Sequence, residues 1–379
     1  MTRVCLGDVA CECKETCKED KTGYPIVGLE HLHPGDLTLS EWDTETETTF
    51  TKMFRKGSIL FGRRRAYLKK AAVAPFDGIC SGDITVIKAI EERIVPELLP
   101  FIIQNDAFFE FAVGKSAGSL SPRVKWEHLK TYEFELPSLE KQRELAELLW
   151  AIDDTKKSYQ KLLVATDELV KSQFIEMFGA LDKMTFPMVE LGNIGKMISG
   201  GTPSSSHPEY FGGNIPFIST PCLGDNFIDS RYAQNWLTEL GVLNSSTHII
   251  PSYSIMIGSR VGVGKCSINT CEMCTNQDIL SFTSIDVETY DLLFLKKVLE
   301  QYTPYFESQK RGATIKGITS DLVKSAKIPQ APMDLQKQYV SFIQQSDKSK
   351  SVLVNANHHL SSVASQMCLN SFVTDYSLV

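Results

Sequence analysis

The residues best suited to chemistry lie in one stretch, "SIMIGSRVGVGKCSINTCEMCTNQDIL" (residues 254–280). It contains three glycines, an arginine, a lysine and three cysteines, which are the residue types of a phosphate loop or a thiolate metal site. Its "GVGK" lacks a glycine at the earlier position that a phosphate loop requires, and Cys266 stands where that loop has Ser or Thr. We therefore do not expect ATP binding through a phosphate loop.

The ten cysteines are the second group that could do chemistry. Two clusters occur, made of Cys5, Cys11, Cys13 and Cys17 and of Cys266, Cys271 and Cys274. Four thiolates can hold zinc, but neither cluster has the paired CxxC spacing of zinc ribbons. No apolar run near the start resembles a signal peptide, so a cytoplasmic location and reduced thiols are expected. We predict no metal in this chain.

The composition and the absence of certain sequence motifs argue against several classes of function. Hydrophobic residues make up 42% and charged residues 22%, as in ordinary globular proteins, and no apolar run approaches the roughly 18 residues of a membrane span. The chain lacks an Asn/Asp-Pro-Pro-aromatic segment for gripping a flipped base, a His-Glu-x-x-His motif and a serine elbow. The net charge of −7 argues against a free-standing nucleic-acid binder, unless cations cluster locally.

The chain contains an internal repeat. The segment "SILFGRRRAYLKK" (residues 58–70) matches "SIMIGSRVGVGKC" (residues 254–266) at a separation of 196 residues. The matched functional residues are Gly62 and Gly258, Arg64 and Arg260, and Lys69 and Lys265. Further matches follow in the same order, including "GICSGDITVI" with "EMCTNQDILSF", which sets Cys80 opposite Cys274, and two segments that end at Gln142 and Gln338. A repeat of this length predicts a duplicated domain.

Two long helices must position these domains. Each copy begins with short β-rich runs and ends in a run with a seven-residue apolar repeat, such as Leu145, Ile152 and Tyr159 in the first. We predict an α+β fold: two similar domains with mixed β-sheets, separated by an antiparallel pair of long coiled-coil helices. The predicted segments are a first domain at 1–137, a first helix at 138–182, a second domain at 183–332, and a second helix and tail at 333–379. The alternative is two ordinary amphipathic helices, each docked on its own domain.

This arrangement resembles the specificity subunit of type I restriction-modification systems. The resemblance rests on "ILFGRRRAYLKKAAVAPFDGICSGD", "LPSLEKQRELAELLWAIDD", "ISGGTPSSSHPEYFGGNIPFI", "GSRVGVGKC" and "GATIKGITSDLVKSAKIPQAP", which together span nearly the whole chain. It implies a non-catalytic protein whose two target-recognition domains each read one half of a bipartite double-stranded DNA target. It also implies that two methyltransferase subunits dock on the helical spacer. Restriction motor-nuclease subunits join them, although their presence for this chain is open. S-adenosylmethionine, ATP and magnesium are then expected only in those partners.

Two sets of residues follow from this resemblance and from the chemistry. Cations and hydroxyls can hold phosphates, and planar side chains can read base edges. The predicted DNA-binding residues are Arg63, Arg64, Arg65, Lys69, Lys115, Arg123, Lys125, Thr202, Arg260, Lys265, Lys310, Arg311, Thr314 and Lys316. The predicted partner-docking residues on the helices are Leu145, Leu148, Ile152, Tyr159, Leu162, Leu169, Phe342, Val352, Leu360 and Val363.

Two other functions compete with DNA readout. A coiled-coil adaptor that binds proteins and never DNA would also have paired domains and long helices. A fused DNA-modifying enzyme is disfavoured by the missing motifs and the lack of spare length. The arginine repeat separates the first alternative from DNA readout, because the adaptor has no need for Arg64 or Arg260.

Overall fold

The computed structural model describes residues 1–17, 21–44, 48–312 and 316–372. The chain forms two compact units, unit 1 with Met1–Leu162 and Val352–Val379 and unit 2 with Leu163–Ser351. Each unit combines small mixed or antiparallel sheets with helices, so the predicted α+β class is confirmed. Among the helices of the described ranges, none is long and apolar enough to cross a bilayer.

Unit 1 contains a four-stranded sheet in the order β2-β8-β5-β6, a three-stranded sheet in the order β3-β7-β4, and the pair β1-β9. Its strands are β1 (Thr2–Cys5), β2 (Ala10–Glu12), β3 (Ile26–Val27), β4 (Lys52–Phe54), β5 (Ile59–Gly62), β6 (Ala71–Val73), β7 (Gly78–Cys80), β8 (Ile84–Ala89) and β9 (Glu133–Leu136). Its helices are α1 (Leu6–Val9), α2 (Leu99–Ile103), α3 (Asp106–Gly114), α4 (Trp126–Leu129), the first part of α5 (Leu139–Phe178) and the last part of α10 (Met333–Phe372).

Unit 2 contains sheets in the orders β11-β19-β16-β17-β13 and β14-β12-β18-β15, and the pair β10-β20. Its strands are β10 (Met188–Glu190), β11 (Lys196–Ser199), β12 (Phe211–Ile218), β13 (Phe227–Ile228), β14 (Asn235–Leu237), β15 (Ile249–Ile250), β16 (Ile255–Gly258), β17 (Cys266–Asn269), β18 (Met273–Thr275), β19 (Ile279–Thr283) and β20 (Lys327–Pro329). Its helices are the last part of α5, α6 (Glu239–Leu243), α7 (Leu292–Gln301), α8 (Thr303–Ser308), α9 (Ser320–Lys324) and the first part of α10.

The sheets of the two units have matching topology. Strand β5 lies antiparallel to β6 and β8, and β16 lies antiparallel to β17 and β19. In the second sheet, β3 is parallel to β7 as β12 is parallel to β18. The central strands β5 and β16 are buried throughout, as their continuous apolar runs predict. The sequence repeat is therefore a repeat of structure.

Helices α5 and α10 have 40 residues each and pack against each other within both units. In unit 1, Leu145 near the start of α5 shares a core with Phe372 at the end of α10. In unit 2, Phe174 near the end of α5 lies with its ring centroid 5.6 Å from that of Tyr339 near the start of α10. In both units the start of one helix packs against the end of the other, so the helices run antiparallel, as predicted. The predicted segment boundaries remain a prediction.

The inner face of α5 differs from the predicted one by one row. Of the predicted rows, the one with Leu145 and Ile152 is buried, but Leu148 is 50% exposed and Leu162 51%. The second inner row contains Leu149 and, half-buried, Leu163 instead. In an α-helix, the positions three and four residues after Leu145 lie on either side of it. The heptad pattern therefore permits both rows, and the packing of α10 selects the second.

Candidate nucleic-acid interface

The repeated glycine-arginine motif lies at the ends of two equivalent strands. Strand β5 ends at Gly62 and β16 ends at Gly258, and an arginine follows two residues later in each unit. A Cβ atom on Gly258 would lie 2.5 Å from the carbonyl oxygen of Gly262, so a side chain does not fit there. At Gly62 the nearest backbone oxygen would be 3.1 Å away. The glycines let the chain turn tightly and place the following arginine beside the next strand.

In unit 1, two of the predicted cations share one carboxylate. Arg64 Nη1 lies 3.5 Å from Asp83 Oδ2, and Arg123 Nε donates to Asp83 Oδ1 at 2.7 Å. Arg64 Nε also donates to the hydroxyl of Ser121 at 2.5 Å. The hydrogen bond from Arg123 lowers the pKa of Asp83, with further contributions from the charges of Arg123 and Arg64. Both guanidinium groups remain accessible, since the side chain of Arg64 is 40% exposed and that of Arg123 is 42%.

Unit 2 repeats this arrangement with one arginine. Arg260 Nη1 lies 3.2 Å from Asp278 Oδ1, with 48% of the arginine side chain exposed. Gly317 packs over Arg260, because a Cβ atom there would lie 2.8 Å from Arg260 Cγ. The backbone bonds match as well: Arg63 N donates to Asp83 O at 3.0 Å, as Ser259 N donates to Asp278 O at 2.8 Å. We call Arg64–Asp83 and Arg260–Asp278 the arginine–aspartate pairs.

The predicted threonine lies next to the second pair. Thr202 is hydrogen-bonded to Gln277, the residue before Asp278. The preceding glycines allow this approach, because a Cβ atom on Gly200 would lie 2.0 Å from the carbonyl oxygen of Asn276. The loop that contains Gly200 and Thr202 therefore packs against the turn that carries Asp278.

The remaining predicted cations spread outward from the pairs. Lys69 forms an ion pair with Asp106, Lys310 forms one with Glu307, and the ammonium of Lys115 lies 5.6 Å from the ring centroid of Phe111. The other predicted basic residues are Arg63, which is half-buried, and Arg65, Lys125, Lys265, Arg311 and Lys316, which are exposed. Thr314 lies outside the described residues.

The repeated lysines do not share one environment. Lys69 has a left-handed backbone with φ of 50° and pairs with a carboxylate from α3, whereas Lys265 is exposed beside the turn that precedes β17. The sequence match of Lys69 with Lys265 is therefore weaker in structure than that of Arg64 with Arg260.

The sequence analysis missed Asp83 and Asp278. The signal was present, because both aspartates stand before an isoleucine in the matched segments "GDITVI" and "QDILSF". A search for cations passes over such residues, although a carboxylate orients an arginine through hydrogen bonds of fixed geometry.

The glycines and cysteines of residues 254–280 have structural roles. Residues 259–265 form a hairpin turn between β16 and β17, with φ of 60° at Gly262 and 80° at Gly264. A strand follows where a phosphate loop has a helix. The equivalent Cys80 and Cys274 are buried, and burial raises the pKa of their thiols to about 12 and about 11. Within the described ranges, no group of three or more His, Cys, Asp or Glu side chains could hold a metal ion.

The long helices leave apolar side chains on their surface. Of the residues predicted to dock a partner, Leu145 and Ile152 are buried within unit 1, and Tyr159, Phe342, Leu360 and Val363 are half-buried. The exposed ones are Leu148, Leu162, Leu169 and Val352, with 50%, 51%, 53% and 68% of their surface accessible. Of the predicted docking residues, these four exposed ones are therefore the ones that a partner could contact.

Paired domains with equivalent arginine sites and long connecting helices define a two-domain recognition protein. The family model described as "Type I restriction modification DNA specificity domain" matches residues 1–164 and 184–357. The chain belongs to this family, the DNA-recognition component of type I restriction-modification systems. The resemblance drawn from the sequence is confirmed. Specificity subunits of these systems act on DNA together with methyltransferase and restriction subunits.

Individual relatives agree with this assignment. The chain is 22% identical over 347 residues to the type I restriction enzyme MjaX specificity subunit of Methanocaldococcus jannaschii, covering 84% of this chain and 79% of that one. A chain solved in a type I R-M system has a TM-score of 0.63 at 19% identity and covers 98% of this chain and 97% of its own. The S subunit from M. genitalium has a TM-score of 0.56 at 13% identity, with 98% and 96% covered. These two structures support the fold.

Proposed function

We propose that this chain reads DNA through its two arginine–aspartate pairs and has no catalytic activity of its own. The observation that carries the proposal is the duplication of the pair: the same arginine is held by the same aspartate at the end of the same strand in both units. The recurrence of the pair at equivalent positions supports a common role in the two domains.

The geometry of the pairs suits DNA contact. An arginine presents a rigid fork of donors that matches a phosphate or the O6 and N7 acceptors of guanine. Asp83 and Asp278 each lie on one side of the guanidinium, at 3.5 Å and 3.2 Å, while roughly half of each arginine side chain remains accessible. Binding then loses less side-chain entropy than it would with a free arginine.

The other predicted cations extend each site. Lys115, Lys125 and Arg123 in unit 1, and Lys265, Arg311 and Lys316 in unit 2, are exposed and can neutralise phosphates. This local concentration answers the objection raised by the net charge of −7. Acidic residues elsewhere then repel DNA from the remaining surface.

The exposed apolar residues of the long helices are proposed to dock the partners. Leu148, Leu162, Leu169 and Val352 belong to α5 and α10 and would be costly to leave in water. Two methyltransferase subunits are the proposed occupants, and they in turn bring the restriction subunits. S-adenosylmethionine, ATP and magnesium bind to these partners, and the complex acts in the cytoplasm.

Charge reversal of the arginines tests DNA reading. We expect Arg64→Glu or Arg260→Glu in the assembled complex to weaken binding of target DNA by about 10- to 100-fold, since each good base or phosphate contact contributes about 1–3 kcal/mol. The matched control is Arg231→Glu, which removes an exposed arginine that also pairs with an aspartate, Asp229. Affinity is measured by titration of labelled duplex at several salt concentrations.

The outcomes separate the three functions. Reversal of both arginines with unchanged DNA affinity and an intact complex would favour the coiled-coil adaptor. Methyl transfer from S-adenosylmethionine by the purified chain without partners would contradict the non-catalytic role. The target itself is obtained by methylome sequencing of cells that carry the complex.

A further inference from the structure

A second duplicated polar contact joins each recognition domain to its long helix. Gln142 and Gln336 are each the fourth residue of a long helix, and they are 2% and 0% exposed. A glutamine so deeply buried is uncommon and must have its amide satisfied. Each glutamine side chain hydrogen-bonds to an equivalent pair of backbone groups, one N–H and one carbonyl oxygen.

The contacts of the two glutamines match bond for bond. Gln142 Oε1 accepts from Val95 N at 2.9 Å, and Gln142 Nε2 donates to Pro137 O at 2.8 Å. Gln336 Oε1 accepts from Asp291 N at 2.9 Å, and its Nε2 donates to Ala331 O at 2.8 Å. Gln336 Nε2 also donates to Thr289 O at 2.9 Å.

These contacts correct the sequence match in this region. The aligned segments set Gln142 opposite Gln338, but Gln338 is exposed, and the equivalent residue is Gln336. Each buried glutamine bonds the carbonyl oxygen five residues before it, which fixes the register. The two helices then correspond at one constant separation of 194 residues.

The partners of each glutamine come from two different parts of the recognition domain. Pro137 and Ala331 lie in the segment that leads from the last strand into the long helix, each two residues before the helix begins. Val95 precedes α2, and Asp291 is the N-cap of α7, which packs in the core of unit 2. One amide therefore connects the first turn of the long helix both to its own lead-in and to the helical layer of the domain.

We propose that Gln142 and Gln336 are positioning residues that fix the angle of each recognition domain on its long helix and thereby the half-site spacing that the protein accepts. This inference rests on the proposed function. Each glutamine holds one recognition domain in a fixed orientation on one long helix. Without the hydrogen bonds of either glutamine the domain can rotate on its helix, so DNA with a different separation between half-sites is then tolerated.

The variants remove the hydrogen bonds and keep the volume. Gln142→Met and Gln336→Met replace the amide with an unbranched apolar side chain of similar length, and Gln160→Met and Gln338→Met make the same change at exposed positions of the same helices. The complex is assembled with each variant and titrated with duplexes that carry the methylome-defined target, with the native spacing or with one base pair more or fewer.

The wild-type complex is expected to prefer one spacing, because binding a different spacing would rotate a domain and break a glutamine hydrogen bond, which corresponds to about tenfold in affinity. Each buried variant lacks these bonds and should lose about that factor of preference. The exposed variants should keep it. A merely structural role would lower thermal stability and leave the ratio between spacings unchanged, so an unchanged ratio in an assembled variant overturns the inference.

Two further results complete the test. A wild-type complex that binds no bipartite duplex refutes the proposed function, whereas normal DNA binding with unchanged spacing preference in the variants refutes only the role of the glutamines. If a variant does not assemble, amide hydrogen exchange in the wild-type complex decides. Val95 and Asp291 should exchange far more slowly than exposed loop amides, and exchange at the loop rate would overturn the proposal.

Discussion

Removing the ammonium group of Lys296 should destabilise unit 2 by roughly 2–3 kcal/mol. Lys296 lies on α7 and is 0% exposed, which is rare for a lysine unless it is paired. Its ammonium donates to Asn226 Oδ1 at 2.9 Å and to Glu300. Asn226 Nδ2 in turn donates to Asp347 Oδ2 on α10 at 2.6 Å. The chain of bonds thus runs from α7 to the long helix within unit 2.

The magnitude follows from what the substitution Lys296→Met leaves behind. Methionine retains the apolar stem, so little packing is lost. Removal of one partner from a buried ion pair costs about 3–5 kcal/mol when the other charge is left alone. Here Glu300 keeps a hydrogen bond from Lys297 at 2.8 Å and is not left alone, which places the expected loss below that range, at roughly 2–3 kcal/mol.

The assay is urea unfolding, with hydrogen exchange of the α7 amides to identify the transition of unit 2. Lys324→Met is the control, because Lys324 is exposed and its ion pair with Asp321 should contribute under about 1 kcal/mol. The double variant Lys296→Met with Glu300→Leu should recover part of the loss, since it removes both charges. A loss below about 0.5 kcal/mol for Lys296→Met would refute the claim that this network stabilises unit 2.

Three further predictions come from the repeat. Gly258→Ala should lower the free energy of unfolding by about 2–3 kcal/mol, because the added Cβ would lie 2.5 Å from a backbone oxygen. Gly62→Ala should lower it by under about 1 kcal/mol, because the corresponding distance is 3.1 Å, and equal losses for the two variants would contradict this. The pKa of Asp83 is lowered in the folded protein, so its contribution to stability is complete above its ordinary pKa and lost as the pH falls through the lowered one. Asp83→Asn should therefore flatten the stability profile below about pH 4, as measured by thermal unfolding, and an unchanged profile would exclude this role. Cys368→Phe should raise the free energy of unfolding by about 1–2 kcal/mol, because Cys368 lines a cavity of about 320 Å³ and the equivalent residue in unit 2, 194 positions earlier, is the buried Phe174. A lower melting temperature would count against the equivalence.

The sequence predicted the larger features because they repeat. The glycine-arginine motif at Gly62 and Gly258 led to the duplicated domain, and long runs without proline or glycine led to the two helices. The fold class and the family were predicted from these two features. Both features depend on strong local preferences, which a sequence displays directly.

Choices between adjacent positions could not be predicted in the same way. Both Leu148 and Leu149 are apolar and lie on neighbouring rows of α5, and only packing in the core of unit 1 buries the second. Gln336 and Gln338 are identical in type, and hydrogen bonds to the backbone, such as the one to the carbonyl of Ala331, distinguish the buried one. The backbone groups of Asp291 and Thr289 also bond Gln336, so the deciding contacts include residues distant in sequence.

The separation between equivalent residues shows which parts of the repeat are held to a fixed length. It is 196 residues for Arg64 and Arg260, 195 for Asp83 and Asp278, and 194 for Gln142 and Gln336 and again for Phe178 and Phe372. The recognition domains therefore gain or lose residues between their conserved points, whereas α5 and α10 match over all 40 residues. An insertion in a surface loop costs little, but one in a helix rotates everything beyond it by about 100° and moves it by about 1.5 Å. Such a step would take Phe178 or Phe372 out of its core, so the helices keep their length while the loops proposed to approach DNA are free to change.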